Sequence, residues 1–320
     1  MGIGPSIVTV GAFDAVHLGH RALIRRAAAI AEPLGAEVVV LSFDPHPLAE
    51  LRPGTEPDRI TSWTERDRLL TEAGAARVVR LEPTDALLSL TADQFVEHIR
   101  NTHNAVGWVE GPDFRFGAGR TGDVSLLAKR GRDLGFRFDL IDSVETTLND
   151  LSVVRVSSTL TRWLLANGRV ADAAILLDRP HAVTGTVVQG HRRGRTIGFP
   201  TANLDLGADG ALLPGPGVYA GEATLPDGRK SPAAISIGTN PTFGPGAFTC
   251  EPHLIGAPSD GDRIAGLPEY GWNLRVSFGA WLRDTLTFSG IEALVAQLER
   301  DRDRVLALST ETSSRIGETV

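Results

Sequence analysis

Two histidines close a glycine-containing segment, GAFDAVHLGH, near the start of the chain. The segment follows a short β-branched run and precedes a stretch of high helix propensity, which places His17 and His20 on one face at a helix N-terminus. Unpaired N–H groups and the helix dipole attract phosphate there, and Gly11 and Gly19 allow the backbone to approach a nucleotide closely. Two imidazoles at that point can donate hydrogen bonds to charge developing on an α-phosphate. The spacing therefore predicts a nucleotidyl-transfer site that uses ATP.

A second glycine-containing segment, GHRRGRTIGFPTANL, covers residues 190–204. Gly190, Gly194 and Gly198 can leave backbone amides open around phosphates, as other glycine-rich phosphate loops do. The segment is not a Walker A loop, because no Gly-Lys-Ser/Thr follows. Taken alone, it is a turn-rich hairpin with arginine at its tip.

A third segment, RVSSTLTR, runs from Arg155 to Arg162. Ser158 and Thr159 stand at the start of a predicted helix, where Ser and Thr are good caps, and Arg162 one turn later can reach an anion. Taken alone, this serine and threonine are helix caps.

The elements that would position these segments differ between the two halves of the chain. The first half alternates strand-like and helix-like stretches, which predicts βαβ units and a parallel sheet. The run AEVVVLSF at 36–43 is continuously apolar, as expected for a strand covered on both faces. The other predicted strands are 7–10, 76–81 and 105–109, and the predicted helices are 20–31, 64–75, 92–102, 158–167 and 170–177.

The second half is predicted to be rich in β-structure. Strand-like runs at 182–188, 217–223, 233–237 and 273–278 are separated by turn residues, and helical periodicity returns only at 290–307. Many short strands with Gly/Pro turns favour a small β-barrel. The predicted fold class is α/β plus all-β, with a Rossmann-like domain at 1–180 and a barrel with a closing helix at 181–320.

Bulk composition narrows the class of protein. The hydrophobic (42%) and charged (22%) fractions are ordinary for a globular chain, and no apolar run approaches the roughly 20 residues that span a bilayer. A net charge of −7 argues against broad nucleic-acid binding, and the single cysteine, Cys250, excludes an internal disulfide framework. No signal peptide is visible. We expect a cytoplasmic protein with small-molecule substrates and without membrane or nucleic-acid partners; self-association is left open.

These segments occur in the order found in the prokaryotic bifunctional riboflavin kinase/FMN adenylyltransferase family, which the chain resembles over nearly its whole length. SFDPHP at 42–47 and EGPDFRFGAGRTGD at 110–123 resemble further family segments. The resemblance implies that His17 and His20 are catalytic. It implies nucleotide binding by Gly11, Phe13, Asp14, Gly19, Arg155, Ser158, Thr159 and Arg162, and flavin binding by Asp44, Pro45, His46, Asp113 and Phe114.

The element Pro200-Thr201-Ala202-Asn203 is the strongest local match to the riboflavin kinase part of that family. The resemblance implies that the Thr201 hydroxyl and the Asn203 amide oxygen bind Mg²⁺–ATP, which agrees with the preference of Mg²⁺ for oxygen ligands. It also places Gly190, Gly194 and Gly198 around the nucleotide and Tyr270 beside the flavin. Glu251, which follows the Asn-Pro-Thr-Phe element at 240–243, is implied to be the catalytic base of riboflavin phosphorylation.

The resulting expectation is an enzyme with two sites, which forms FMN from riboflavin and ATP and then FAD and pyrophosphate from FMN and a second ATP, with Mg²⁺ as cofactor. The chain departs from the family at Ala15, where glycine is usual, and in the loop after Glu251, which is longer and lacks the Asp that the family usually has soon after this Glu. A methyl group at Ala15 costs energy if the backbone needs φ > 0. Hence a monofunctional riboflavin kinase with a weakened adenylyltransferase site, a relative acting on a modified flavin, and a non-catalytic flavin-binding protein stay open. The acidic charge and the second segment disfavour an aminoacyl-tRNA synthetase fragment.

Overall fold

The computed structural model describes residues 4–190, 193–208, 210–239, 248–260 and 263–317. The chain divides into two compact units, Met1–Thr147 with Leu151–Ser158 and Leu148–Asp150 with Thr159–Val320. Among the described residues, we find no helix with the length and apolar character needed to cross a membrane.

The first unit is built on a parallel sheet. Its strands are β1 (Ser6–Gly11), β2 (Glu37–Phe43), β3 (Arg77–Leu81), β4 (Ala105–Glu110), β5 (Arg115–Phe116), β6 (Gly122–Asp123), β7 (Arg137–Leu140), β8 (Glu145–Thr147) and β9 (Val153–Arg155). Its helices are α1 (Leu18–Ala31), α2 (Leu48–Leu51), α3 (Trp63–Glu72), α4 (Asp85–Leu88), α5 (Ala92–His103) and α6 (Val124–Leu134). Five strands pair in parallel in the order β3-β2-β1-β4-β7, and β5–β6 and β8–β9 form separate antiparallel pairs.

Alternate residues of the central strands enter two separate apolar clusters, because successive side chains of a strand point to opposite faces of the sheet. Ile7, Val38 and Val40 join residues of α1 and α3, such as Ile24 and Leu70. Their neighbours in the sequence join residues of α5 and α6; this second cluster includes Val8, Val39, Phe95, Trp108 and Leu127. Burial on both faces explains the continuous apolar run of β2 and confirms the predicted parallel sheet.

Two elements of this unit, α6 and β7, have only weak sequence signals. Gly131 lies inside α6, and glycine weakens the case for a helix in a sequence pattern. The close packing of α6 explains the glycine, because a Cβ at this position would lie 2.9 Å from the carbonyl oxygen of Phe136. β7 has only 4 residues, of which the two apolar ones are separated by Asp139, so its hydrophobic signal is weak.

The second unit is a barrel with helices. It contains α7 (Ser158–Ala166), α8 (Val170–Leu177), β10 (His181–Val188), β11 (Asn203–Asp205), β12 (Gly217–Thr224), β13 (Lys230–Thr239), β14 (Phe248–Leu254), β15 (Ser259–Asp260), β16 (Arg263–Ile264), β17 (Asn273–Arg283) and α9 (Ile291–Gly317). Six strands close an antiparallel barrel in the order β10-β11-β14-β13-β12-β17. The predicted barrel and closing helix are therefore confirmed. The contact pattern groups most of α7 and all of α8 with this unit, and the domain boundary predicted at residue 180 stays a prediction.

Alternation along the barrel strands fills the barrel interior. Leu274, Val276 and Phe278 of β17 are fully buried, as is Cys250 of β14, which lies between Leu204 of β11 and Ile237 of β13. Burial raises the pKa of the Cys250 thiol above its ordinary value. On the outside, Arg283 at the end of β17 donates three hydrogen bonds of 2.6–3.1 Å to the buried carboxylate of Asp301, which attaches α9 to the barrel.

Two histidines that matched no motif have structural roles. His103 is buried at the end of α5, and burial lowers the pKa of its imidazole. In the barrel, Nε2 of His181 lies 2.7 Å from the carbonyl oxygen of Leu212, and its ring stacks on Phe278 with centroids 6.0 Å apart.

Candidate active sites

The turn that joins β1 to α1 has an unusual backbone. Phe13, Ala15 and Val16 adopt φ values of 47°, 82° and 47°, in the left-handed region that favours glycine. The Asp14 carboxylate between them accepts hydrogen bonds from the N–H groups of Ala15, Ile60 and Thr61 at 2.9–3.1 Å. Asp14 is therefore directed into the protein, where it holds this turn against the segment before α3.

Replacing Ala15 with glycine tests whether this residue weakens the site. The left-handed backbone costs a non-glycine residue about 1–2 kcal/mol, and glycine would avoid this cost. Glycine would however lose about 0.8 kcal/mol because the methyl group is no longer buried, and a similar amount because the unfolded chain gains conformational entropy. Ala15 is fully buried, so its methyl group points into the protein. We expect Ala15→Gly to change the free energy of unfolding by less than about 1 kcal/mol and the KM for ATP in FAD formation by less than tenfold. Denaturant titration and steady-state kinetics measure both.

A matched substitution to a larger residue should have a clear effect. Ala15→Val puts a β-branched side chain at φ 82°, and we expect it to destabilise the turn and slow FAD formation. A large gain in FAD formation by Ala15→Gly would contradict our interpretation and would mean that the methyl group limits catalysis.

The two predicted catalytic histidines are in contact. His17 is the N-cap of α1, and its Nδ1 accepts a hydrogen bond of 3.3 Å from the backbone N–H of His20. The two rings stack with centroids 3.6 Å apart and planes 15° apart. Since Nδ1 of His17 is an acceptor, a neutral ring carries its proton on Nε2, which is the donor a phosphate oxygen requires. A Cβ at Gly19 would lie 3.2 Å from the His17 ring, so the missing side chain at this position leaves space for the ring.

Gly11 and Phe13 lie beside this pair. Gly11 ends β1, and a Cβ there would lie 3.3 Å from the Phe13 ring. The Phe13 ring is in turn tilted against the His20 ring, with centroids 5.0 Å apart. Phe13 therefore contacts the histidine pair, through His20, as an apolar neighbour and is itself almost wholly buried.

The segment before α7 reaches the same turn. The Ser158 hydroxyl donates a hydrogen bond of 2.7 Å to the carbonyl oxygen of Asp14. Arg155 forms an ion pair with Asp113, and both side chains are exposed. Thr159 and Arg162 follow in α7, which is grouped mainly with the second unit. The structure thus brings Ser158 to the histidine turn and Arg155 to Asp113.

The predicted flavin-side residues after β2 make mostly protein contacts. Asp44 is 1% exposed, and its carboxylate forms ion pairs with Arg59 at 3.1 Å and Arg80 at 2.6 Å. The Asp44–Pro45 peptide is cis. Nδ1 of His46 accepts a hydrogen bond of 3.2 Å from the N–H of Leu48.

Phe114, the remaining predicted flavin-side residue of this unit, is half-buried in an aromatic cluster. Its ring stacks on Phe116 with centroids 5.3 Å apart and lies 6.4 Å from the Trp108 ring. These neighbours orient the ring at the loop that follows β4.

Arg66 is a buried residue that the sequence analysis missed. Its guanidinium donates hydrogen bonds to the carbonyl oxygens of Ala12 at 3.1 Å and Phe43 at 2.9 Å, and it lies 3.7 Å from Asp14 and 3.8 Å from Asp44. Burial lowers the pKa of the guanidinium, which the two carboxylates oppose. Arg66 therefore joins the loops that follow β1 and β2. Its helical spacing from Leu69 and Leu70, on the buried face of α3, was the available signal.

Glu110 marks the place where β4 separates from β1. The two strands pair only as far as Val8 and Trp108. Beyond that point, Oε1 of Glu110 accepts hydrogen bonds from the N–H of Val10 at 2.7 Å and from the indole N–H of Trp108 at 2.8 Å. The sheet order reverses between these strands, and in open α/β sheets ligands bind outside the carboxyl ends of strands at such a switch point. The turn carrying His17 and His20 starts at this crevice.

The Glu110 carboxyl predicts a pH-dependent stability. Burial raises its pKa from 4.5 to about 8. The folded state therefore keeps, between these pH values, a proton that the unfolded chain releases, so the free energy of unfolding falls as the pH rises through this window, by up to about 1.4 kcal/mol per pH unit. Glu110→Gln removes this term. We expect its stability relative to the parent chain to increase from pH 5 to pH 8, as measured by denaturant titration; a difference that is constant with pH would contradict this.

In the second unit, glycines make room within the segment that precedes and includes β11. A Cβ at Gly190 would lie 2.1 Å from Nδ2 of Asn203, and a Cβ at Gly194 would lie 2.2 Å from the carbonyl oxygen of Phe199. Gly198 has φ 82°. Gly190 and Gly194 thus serve close packing of the segment itself. Residues 191 and 192 of this motif lie outside the described residues.

Pairing of β11 with β14 relates the predicted magnesium ligands to the predicted base. Leu204 pairs with Cys250, and the N–H of Ala202 donates to the carbonyl oxygen of Pro252 at 2.9 Å. Between these two pairs, Asn203 stands opposite Glu251. Directly opposite residues of an antiparallel pair share one face, with Cβ atoms about 5 Å apart.

The surroundings of this face fit its predicted role. Thr201 is exposed, Glu251 is half-buried, and Asn203 is 7% exposed. The Thr249 hydroxyl lies 3.3 Å from Oε1 of Glu251 and restrains the carboxylate. The Asn-Pro-Thr-Phe element at 240–243 lies outside the described residues.

Tyr270 lies at the end of the barrel near the glycine-rich segment. The N–H of Gly271 donates to the carbonyl oxygen of Val187 at 2.8 Å. The neighbouring Glu269 forms an ion pair of 2.9 Å with Arg195, which belongs to the segment carrying Gly194 and Gly198. The predicted flavin-side tyrosine and the predicted nucleotide segment are therefore adjacent.

A histidine turn on a parallel sheet and a glycine-rich segment on a closed barrel define a two-domain, nucleotide-dependent transferase. A family model described as FAD synthetase matches residues 3–159, and one described as riboflavin kinase matches residues 177–309. The chain belongs to the bifunctional riboflavin kinase/FMN adenylyltransferase family. The resemblance drawn from its motifs is confirmed.

Individual relatives cover nearly the whole chain. The bifunctional riboflavin kinase/FMN adenylyltransferase of Escherichia coli (strain K12) is 36% identical over 296 residues, which are 92% of this chain and 90% of that protein. The protein of the same name from Pseudomonas fluorescens is 33% identical over 97% of this chain and 94% of its own length. The crystal structure of a protein described as a macrolide-efflux protein from Streptococcus pneumoniae is 29% identical, with a TM-score of 0.82, over 95% of this chain and 94% of that chain.

Proposed function

We propose that the chain makes both FMN and FAD, with one reaction in each unit. The second unit transfers the γ-phosphoryl group of ATP to the 5′-hydroxyl of riboflavin and releases ADP. The first unit joins the phosphate of FMN to the α-phosphorus of a second ATP and releases pyrophosphate. Two family models and relatives of the bifunctional type support this pair of reactions.

The observation that carries the kinase assignment is the shared face of Asn203 and Glu251. In our proposal the Glu251 carboxylate orients the ribityl hydroxyl and takes its proton as the oxygen bonds to the γ-phosphorus. The bond from the γ-phosphorus to the β-phosphate bridging oxygen then breaks, and ADP leaves. Such transfers depend mainly on positioning and charge neutralisation.

The residues beside Glu251 fit a magnesium ion. Thr201 and Asn203 present a hydroxyl and an amide oxygen, and hard oxygen donors are the ligands that Mg²⁺ prefers. A bound Mg²⁺ would neutralise charge on the β- and γ-phosphates of ATP. We therefore assign Thr201 and Asn203 to the Mg²⁺–ATP side of the kinase site, with Gly190 giving the Asn203 amide its place.

The observation that carries the adenylyltransferase assignment is the stacked pair of His17 and His20 at the start of α1. The attacking FMN phosphate is already an anion, so no general base is required. In our proposal the two imidazoles donate hydrogen bonds to charge that develops on the α-phosphate, in the field of the helix N-terminus. We assign Arg155 and Ser158 to the ATP side and Asp113 and Phe114 to the flavin side of this reaction, and Thr159 and Arg162 stay predicted nucleotide contacts.

The geometry narrows the roles of the other predicted contacts. Asp14 and Asp44 are engaged by protein groups, so we assign them to loop positioning and assign ligand binding to the backbone around them. Gly11, Phe13 and Gly19 shape the space around the histidines. Pro45, His46 and Tyr270 are kept as flavin-side residues. On the sequence alone, from its net charge of −7 and one cysteine, we propose a cytoplasmic location and no nucleic-acid partner.

One incubation separates the alternatives. The pure chain is mixed with riboflavin, ATP and Mg²⁺, and the flavins are separated by chromatography over time. The proposal expects FMN to appear first and FAD to follow. FMN without FAD would leave a monofunctional kinase, and neither product with bound riboflavin would leave a flavin-binding protein.

A further inference from the structure

His253 lies on β14, two residues after the proposed base. Its Nδ1 is 2.8 Å from the carbonyl oxygen of Pro200, and its ring centroid is 5.3 Å from that of Phe199. A carbonyl oxygen can only accept a hydrogen bond, so Nδ1 of His253 carries the proton. The side chain therefore holds the peptide that immediately precedes Thr201.

The backbone alone gives this peptide little support. The 3 residues of β11 pair with β10, but this pairing begins only at Asn203. Towards β14, the pairing is confined to Leu204 and Cys250 plus the single bond from Ala202 to Pro252. Pro200 and Pro252 have no N–H, so neither can donate to a strand ladder here. One more step of the register places Thr201 across from His253. The imidazole of His253 thus holds this peptide by a side-chain hydrogen bond, where the prolines cannot donate a backbone hydrogen bond.

We propose that His253 is a positioning residue of the riboflavin kinase site, which holds the Pro200–Thr201 peptide so that the Thr201 hydroxyl stays on the face shared by Asn203 and Glu251. The inference rests on the proposed roles of these three residues. Strand β14 then carries both Glu251, the proposed base, and His253, which positions Thr201 relative to that base. Misplacement of a reacting group by about 1 Å can cost about a hundredfold in rate, which makes such an attachment consequential.

Two substitutions of His253 separate the hydrogen bond from the bulk of the ring. His253→Ala removes the donor, and we expect KM for Mg²⁺–ATP in riboflavin phosphorylation to rise by about tenfold, corresponding to roughly 1.4 kcal/mol, with a smaller change in KM for riboflavin. In His253→Asn an amide N–H can replace Nδ1–H, and we expect most of the loss to be recovered. FAD formation from supplied FMN by the same preparations is the internal control and should stay unchanged.

A measurement without substrates complements the kinetics. Hydrogen–deuterium exchange of peptides covering 200–204 should be faster in the His253→Ala full-length chain and near parent values in His253→Asn, while peptides from β12 and β17 keep their protection. Faster exchange throughout the barrel would mean a general structural role and would overturn the proposal. So would unchanged KM for Mg²⁺–ATP in His253→Ala, or equal losses in both variants. A parent chain that forms no FMN would instead defeat the proposed function itself.

Discussion

Replacing Glu251 with glutamine should lower the rate of FMN formation by about 10²–10⁴-fold, the range that a general base contributes. Glutamine keeps the size of the side chain but cannot take the proton of the ribityl hydroxyl. The Glu251 position lies on β14 between Cys250 and Pro252, where the amide can keep the 3.3 Å contact with the Thr249 hydroxyl. The expected loss therefore falls on kcat, with KM for Mg²⁺–ATP little changed. Coupled detection of ADP gives both constants.

The same chain supplies two controls for this variant. FAD formation from supplied FMN should continue at the parent rate, because the proposed adenylyltransferase residues lie elsewhere in the sequence. Glu222→Gln, on strand β12 of the same barrel, removes a carboxylate paired with Lys230 at 2.8 Å and should leave FMN formation intact. A fall of less than about tenfold in Glu251→Gln would show that the carboxylate is not the base.

The second large effect is expected from His20→Ala, which should slow FAD formation by about 10²–10³-fold, the cost of removing one preorganised donor to a developing oxyanion. His20 is the better target of the pair, because His17 caps α1 and its removal would also disturb the helix. The His20 backbone N–H still donates to Nδ1 of His17 in the alanine variant. Rates of pyrophosphate release with supplied FMN measure the effect.

The matched control is His98→Ala on α5, an exposed histidine of the same unit. It should leave both reactions at parent rates. FMN formation by His20→Ala should also be unchanged. If His20→Ala instead loses both reactions, the two sites do not act independently, and if it keeps FAD formation, charge stabilisation must be assigned to other groups.

The site residues predicted from the sequence lie mostly in short local motifs. The histidines after β1, Ser158 at the start of α7 and the Pro-Thr-Ala-Asn element lie in short segments whose residue types and spacing can be recognised. Strand–helix alternation and the continuous apolar run at 36–43 likewise predicted the parallel sheet, and short strands separated by Gly/Pro turns predicted the barrel.

Residues that act through distant partners escaped prediction. Arg66, Glu110 and His253 gain their roles from carbonyl and N–H groups far away in the sequence, and no spacing rule reports such contacts. The ligand-binding roles of Asp14 and Asp44 stay predictions that rest on their residue type and on the family resemblance. The sequence shows that both residues are carboxylates near the predicted sites. It does not show where each carboxylate points, because this depends on tertiary partners such as Thr61 for Asp14 and Arg59 for Asp44.

The lone thiol of Cys250 provides a reporter for one half of this chain. It is fully buried between two strands, and burial raises its pKa, so an alkylating dye, which needs the thiolate, can react only after the barrel opens. Because the chain has 1 cysteine, the labelling rate contains no signal from the first unit. Dye incorporation in native buffer therefore follows the local unfolding equilibrium of the barrel by itself, even where a melting curve would merge both units into one transition.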